Sequence, residues 1–112
     1  MATPLNKFKT VTIMLTNSDQ IIYTTPAGFT AIILMAQVAN VDATNNADIT
    51  FGVTGLDSVY TELVKGYTVP VKDAATVLTG KLVVEEGCTL HALASANNRL
   101  KMTLSVLESL NA

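Results

Sequence analysis

Apolar and polar residues alternate along most of this chain, in short runs separated by residues typical of turns. In the run Phe8–Leu15, every second residue of the later half is apolar, namely Val11, Ile13 and Leu15. A period of two predicts a β-strand with one buried face. About eight or nine such runs follow one another at regular spacing. This pattern predicts an all-β fold, an antiparallel β-sandwich of the jelly-roll or immunoglobulin-like type.

One stretch breaks the alternation. Between Phe29 and Gln37 both alternating sets are apolar, with Ala31, Ile33 and Met35 in one set and Ile32, Leu34 and Ala36 in the other. A helix would fit this pattern, but the isoleucine content and the preceding turn favour a strand. A strand of this kind must be covered on both faces. The face of this strand that points away from the core would be covered by a loop, another layer or a neighbouring subunit.

Turn residues predict how the strands are connected. Pro26 and Gly28 predict a tight hairpin between Ile21–Thr24 and the long apolar strand, with Gly28 in the left-handed conformation. Lys65-Gly66 predicts a turn after the strand Val59–Val64. Asn97-Asn98 predicts a closing hairpin between Thr89–Ser95 and Arg99–Leu107. Residues 1–7 carry no periodic pattern and are interpreted as an N-terminal arm, followed by a single domain over residues 8–112.

Composition narrows the classes of partner. Hydrophobic residues make up 49% of the chain and charged residues only 14%, which predicts either a surface that binds other proteins or one covered by the abundant Thr, Ser and Asn side chains. The net charge of −2 and the lack of a basic stripe argue against binding nucleic acid. No segment is long and apolar enough to span a bilayer. The N-terminus lacks the apolar core of a signal peptide, and the single cysteine predicts synthesis in a cytoplasm.

Candidate chemistry is sparse. His91 is the only histidine and has no recognisable orienting partner or nucleophile in the sequence, and Cys88 has no basic residues beside it. The loop Asp42–Asp48 offers oxygen ligands but lacks the glycine and the terminal glutamate of an EF-hand loop. Glu85 and Glu86 are adjacent and would point to opposite faces of a strand. We therefore expect no catalytic residues, no metal and no cofactor.

Two motifs carry a resemblance to a known group of proteins. The first comprises Tyr23–Gly28 with Thr30 and Ala31, and the second comprises Gly80–Val83, Glu85–Gly87, Thr89 and Leu90. They are similar to the "YTVPAG-K-T-A" and "GGKLVLEEGDTL-A-A" hairpins of small virion proteins of tailed bacteriophages. The similarity extends from Ile21 over about three quarters of the chain. Phe29 and Cys88 depart from it, since a lysine and an aspartate are usual there.

This resemblance implies a β-sandwich located in the virion and synthesised in the host cytoplasm. The leading hypothesis is a non-enzymatic decoration (cement) protein that clamps neighbouring major capsid subunits, often as a homotrimer. A neck, tail or fibre component is the first alternative, and a receptor- or sugar-binding module is the second. The predicted interface combines the outward set of the long strand with the arm; its residues are Leu5, Phe8, Ala31, Ile33 and Met35, and the sequence leaves open which face of the strand points outward.

Overall fold

The computed structural model describes residues 6–111, and its regular structure consists of nine β-strands. They are β1 (Asn6–Met14), β2 (Gln20–Thr24), β3 (Phe29–Asn40), β4 (Ala47–Thr54), β5 (Tyr60–Val69), β6 (Ala74–Thr76), β7 (Leu82–Val84), β8 (Thr89–Ala94) and β9 (Leu100–Leu110). The first strand begins at Asn6, inside the predicted arm. Residues 1–5, including the interface candidate Leu5, lie outside the described residues.

The strands form two antiparallel sheets packed face to face, which confirms the predicted all-β sandwich. The β1 sheet has the order β1-β9-β3-β6, with β7 also paired to β3, and the β2 sheet has the order β2-β8-β4-β5. The pairs β1:β9, β2:β8, β3:β6/β7 and β4:β5 are nested, as in one long hairpin with its tip at β4–β5. Successive pairs lie in alternate sheets, so this rolled hairpin has jelly-roll topology.

The corner at Pro26–Gly28 connects the two sheets. Phe29 N–H donates to the Pro26 carbonyl at 3.2 Å, and Gly28 has a φ of +85°, as predicted. However, β2 and β3 lie in different sheets, so the predicted hairpin is wrong. Proline occupies the first position of this turn, and the turn is not of the primed type that keeps two strands paired.

A second corner, Glu85–Gly87, makes an equivalent crossing from β7 to β8. Cys88 N–H donates to the Glu85 carbonyl at 3.0 Å, and Gly87 has a φ of +79°. Thr25 joins the two corners, because its N–H donates to Cys88 and its carbonyl accepts from Gly87, both at 3.1 Å. The turn residues of the two sequence motifs therefore lie side by side at one end of the sandwich.

Two further connections differ from the sequence prediction. The Asn97-Asn98 loop links β8 in the β2 sheet to β9 in the β1 sheet, so the predicted closing hairpin is wrong. Lys65-Gly66 lies inside β5, where the pairing with β4 shifts register and Gly66 has a φ of +65°. Both errors have one cause: the local pattern identifies a strand or an irregularity but not the partner strand.

A bulge in β3 explains its two-sided apolar pattern. The register with β9 shifts between Ile33 and Met35, which leaves Leu34 as an extra residue. Before the bulge, Ala31 and Ile33 point into the core; after it, Ala36 and Val38 do, and all four are fully buried. A one-residue shift moves the inward set to the other parity. Each apolar set therefore supplies core residues on one side of the bulge, while Ile32, Leu34 and Met35 face away from the core.

Candidate interaction surface

The structure places some of the predicted interface residues in the core and others at the surface. Ala31 and Ile33 have no exposed area because they line the core, so their assignment to an outward-facing interface is corrected. The sequence pattern could not reveal the bulge that sets the direction of this strand. Met35 is half-buried, and Phe8 is 75% exposed on the edge strand β1. An interface role for Phe8 and Met35 stays a prediction.

Four strands contribute one row of apolar side chains to the outer face of the β1 sheet. Phe8 of β1 lies opposite Leu107 of β9, Leu107 lies opposite Ile32 of β3, and Ile32 lies opposite Val83 of β7. Directly opposite residues place their side chains on the same face, about 5 Å apart. Val83 is 58% exposed. We call Phe8, Leu107, Ile32 and Val83 the apolar row.

A depression lies beside the apolar row. It has a volume of about 280 Å³ and is lined by Phe8, Lys9, Thr10, Leu34, Ser105 and Val106. Leu34, the extra residue of the β3 bulge, is 37% exposed. The outer face thus combines an apolar ridge with an adjacent hollow.

The rest of this face is polar but almost uncharged. The register places hydroxyl and amide side chains opposite one another on both sides of the apolar row: Asn6, Ser109 and Thr30 on one side, and Thr12, Thr103, Gln37 and Thr76 on the other. Among the strand residues between 6 and 111 that face outward here, Lys101 is the single charged side chain. Such a face can be covered by another protein without desolvating many charges.

A buried carboxylate lies on the inner side of the same sheet. Glu108 is fully buried; Tyr23 donates a hydrogen bond to it, and Lys9 Nζ lies 3.3 Å from Oε2. Lys7 Nζ lies 3.8 Å from Oε1. Burial raises the pKa of Glu108, but the Tyr23 hydrogen bond and the two ammonium groups outweigh burial, so this pKa lies below its ordinary value. Glu108 continues the inward series of Met102, Leu104 and Val106, a signal present in the sequence.

The outer face of the β2 sheet carries a different arrangement. His91 Nδ1 lies 2.9 Å from Asp19 Oδ2, and Nε2 lies 2.8 Å from Thr89 Oγ1 and 3.1 Å from Thr54 Oγ1. The Tyr60 ring lies 5.1 Å from the His91 ring. These contacts connect β4, β5, β8 and the turn before β2. We call them the His91 network; Asp19 was missed because it is distant in sequence.

The order of carboxylate, imidazole and hydroxyl in this network also occurs in hydrolytic triads. Both hydroxyls contact the same imidazole nitrogen, and Thr54 and Thr89 are paired across the β4:β8 ladder. The network therefore links β4, β5 and β8 across the sheet. Gly52 leaves room for it, since a Cβ there would lie 2.7 Å from the Tyr60 ring.

The other sequence candidates have local explanations. Cys88 is buried, and burial, together with the charges of Glu85 and Asp57, raises the pKa of its thiol. Asp42 Oδ2 accepts from Asn45 N–H at 2.7 Å and from Thr44 N–H at 3.1 Å, and these backbone bonds lower its pKa. Over residues 6–111, no group of three or more His, Cys, Asp or Glu side chains is placed to hold a metal ion. Nor does this part of the chain contain a helix able to cross a membrane.

A second concave region lies where β5 faces the segment after β6. This groove has a volume of about 400 Å³ and is lined by Leu63, Val64, Tyr67 and Thr76–Thr79. Its lining is uncharged. It lies at the side of the sandwich, away from the apolar row.

Comparisons with known proteins identify the fold. No protein-family model matches the chain, and no curated protein matches its sequence. A chain in the acid-stable capsid structure of Helicobacter pylori bacteriophage KHP30 aligns with a TM-score of 0.54 and 15% identity, over 99% of this chain and 92% of that one. A chain in the disulfide-linked pili of Bacillus endospore appendages aligns with a TM-score of 0.53 and 14% identity, over 96% and 88%.

A third neighbour comes from a different biological setting. The nucleoplasmin-like domain of Drosophila FKBP39 aligns with a TM-score of 0.53 and 12% identity, over 100% of this chain and 98% of that one. At these identities the likeness shows a shared fold. In all three alignments the single jelly roll accounts for nearly the whole of both chains.

Proposed function

We propose that this chain is a non-enzymatic structural protein of a tailed-phage virion, a decoration protein that binds across junctions between major capsid subunits. The observation that carries the proposal is the nearly uncharged outer face of the β1 sheet with its apolar row. The capsid neighbour supports the proposal, because a jelly roll of nearly equal length is present in that phage particle. The two sequence motifs resemble those of small phage virion proteins and also support the proposal.

The size of this face suits a protein interface. β1 has nine residues; at about 3.4 Å per residue and about 4.8 Å between strands, the face is about 30 Å long and about 19 Å wide. This footprint approaches the roughly 800 Å² that each partner buries in a stable complex. The partner in this proposal is the major capsid protein or another virion protein. Repetition over a symmetric shell would strengthen individually weak contacts.

The sheet edges favour association through a face rather than by strand addition. β1 is a free edge, and its inward-facing Lys7 and Lys9 bind Glu108. β5 is one of the two edges of the β2 sheet, and two register shifts interrupt its pairing with β4. Charged inward-facing residues and bulges are features that prevent edge-to-edge pairing.

The proposal includes a location in the virion, synthesis in the host cytoplasm and assembly as a homotrimer. Sedimentation of the isolated protein would measure the trimer directly, and a monomer at all concentrations would contradict it.

The decisive experiment is rebinding of the purified protein to phage particles that lack it. Ile32→Asp places a charge at the centre of the apolar row, and we expect at least a tenfold loss of binding because that charge would be buried without a partner. Thr50→Asp, on the outer face of the β2 sheet, is the matched control and should bind normally. Equal binding by both variants would overturn the assignment of this face.

Copy number distinguishes a decoration protein from a neck or tail component. A decoration protein is present in hundreds of copies per particle, whereas a neck or tail component is present in a handful. Band intensities from purified particles measure this ratio, and a handful of copies would favour the neck or tail alternative.

A further inference from the structure

We propose that the depression between Phe8 and Leu34 is a socket that receives one large apolar side chain, aromatic or leucine, from the capsid protein. This inference rests on the proposed function and defines the chemistry of the contact. The socket is bounded by Phe8 and Leu34, with Ser105 and Thr10 at its floor.

The β3 bulge shapes the socket. Ile33 pairs with Val106, and the next pair is Met35 with Ser105, so Leu34 and Met35 together lie opposite one small residue. A bulge commonly redirects a side chain next to a functional site. Here it adds an apolar wall where a regular strand would supply one side chain opposite Ser105. Thr10 lies opposite Ser105 on the other neighbouring strand, so the floor stays low.

The dimensions of the socket fit one large side chain, and its lining combines the apolar Phe8, Leu34 and Val106 with the polar Lys9, Thr10 and Ser105. Its volume is about 280 Å³, and a cavity of about 150 Å³ already holds a benzene ring. Lys9 also borders it, but its ammonium group lies 3.3 Å from Glu108 on the inner side, which keeps that charge away from an occupant. The Ser105 and Thr10 hydroxyls can bind the polar group of a tyrosine or tryptophan.

A protein is the occupant that this face fits. The surrounding rows offer hydroxyl and amide groups that act as donors and acceptors, and the footprint estimated above approaches the area that one partner buries in a stable protein complex. A buried aromatic side chain in a pocket, surrounded by near-neutral contacts, is the usual arrangement of an interface hot spot.

In the first test, N-acetyl-tryptophanamide is titrated into the full chain as the probe, and methyl NMR detects its binding. We expect concentration-dependent shifts of the Leu34 methyl groups. Ser105→Phe fills the socket and should reduce these shifts at least fivefold, while Ser105→Ala keeps it open and should preserve them. Leu63 and Leu78 report separately on the groove beside β5. Absence of shifts at Leu34, or equal shifts in Ser105→Phe, would overturn the socket.

The second test is particle rebinding with the same two variants. We expect Ser105→Phe to bind at least tenfold more weakly and Ser105→Ala to bind within about twofold of the wild type. If the wild type and Ser105→Phe bind equally, the socket is wrong and the decoration function stands. If the wild type does not bind, the decoration function is wrong, and the capsid protein is not the occupant of the socket. Shifts at Leu34 in the first test would then still show that the socket binds an apolar group.

Discussion

The two outer faces of the sandwich use their side chains in different ways. On the β2 sheet, outward polar groups bind each other: Asp19, Thr89 and Thr54 all contact His91, and Tyr60 packs beside it. On the β1 sheet, the apolar row of Phe8, Leu107, Ile32 and Val83 has no such cover within residues 6–111. Polar groups that are already paired gain little from a partner, whereas exposed apolar groups such as Phe8 and Val83 gain by burial.

The largest expected effect on stability comes from a charge placed on the inward side of β3, and it tests which side of this strand faces the partner. Ile33→Asp buries a charge in the core and should lower the free energy of unfolding by about 4 kcal/mol or more, whereas Ile32→Asp should change it by less than about 1 kcal/mol. Urea unfolding followed by circular dichroism measures both. Similar losses in the two variants would refute the inward and outward assignments set by the bulge.

Glu108 should have the next largest effect, because it secures β1 beneath the apolar row. Glu108→Gln keeps the shape but removes the charge that Tyr23 and the two lysines bind, and we expect a loss of about 1–3 kcal/mol. The pKa of Glu108 is lowered from its ordinary 4.5. Its ionised form therefore contributes stability that is fully present above about pH 4.5 and is lost as the pH falls through the folded-state pKa.

Unfolding measured between about pH 6 and pH 3 tests the origin of this contribution. The difference between the wild type and Glu108→Gln should shrink as the solution becomes acidic. A difference that stays constant over that interval would show that the charge of Glu108 is not responsible.

The smallest expected effect concerns the His91 network. His91→Ala removes its hydrogen bonds and should lower the free energy of unfolding by about 1 kcal/mol, since partly buried polar contacts make modest net contributions. Particle rebinding should be unchanged, because the network lies on the opposite face from the apolar row. Loss of rebinding in a folded His91→Ala protein would show that the β2 sheet also carries a binding surface.

The sequence pattern predicted the sandwich because inward and outward residues alternate in nearly every strand. It did not distinguish the jelly roll from the immunoglobulin-like alternative, since a corner such as Pro26–Gly28 shows where the chain turns but not which sheet it enters. Ala31 and Ile33 were misassigned because a bulge leaves no distinct mark in an apolar run. Asp19 and His91 meet only through the tertiary fold.

Glu108 is a different case, because the predicted strand Arg99–Leu107 ended one residue before it, and continuing the inward series of β9 would have included it. A charged residue there requires partners from other strands. The same series gives no indication that Lys7 and Lys9 supply them, since β1 and β9 are far apart in sequence.

The nested strand pairing also has a kinetic consequence. The β4–β5 tip is the most local pair, whereas β1 and β9 join the two ends of the described chain, so closing that pair carries the largest loop entropy. We expect folding to be slow and to finish with this pair. The apolar row needs β1, β9, β3 and β7 together, so the binding face would exist only once folding is complete. A partly folded chain would then be unable to occupy a place on the shell.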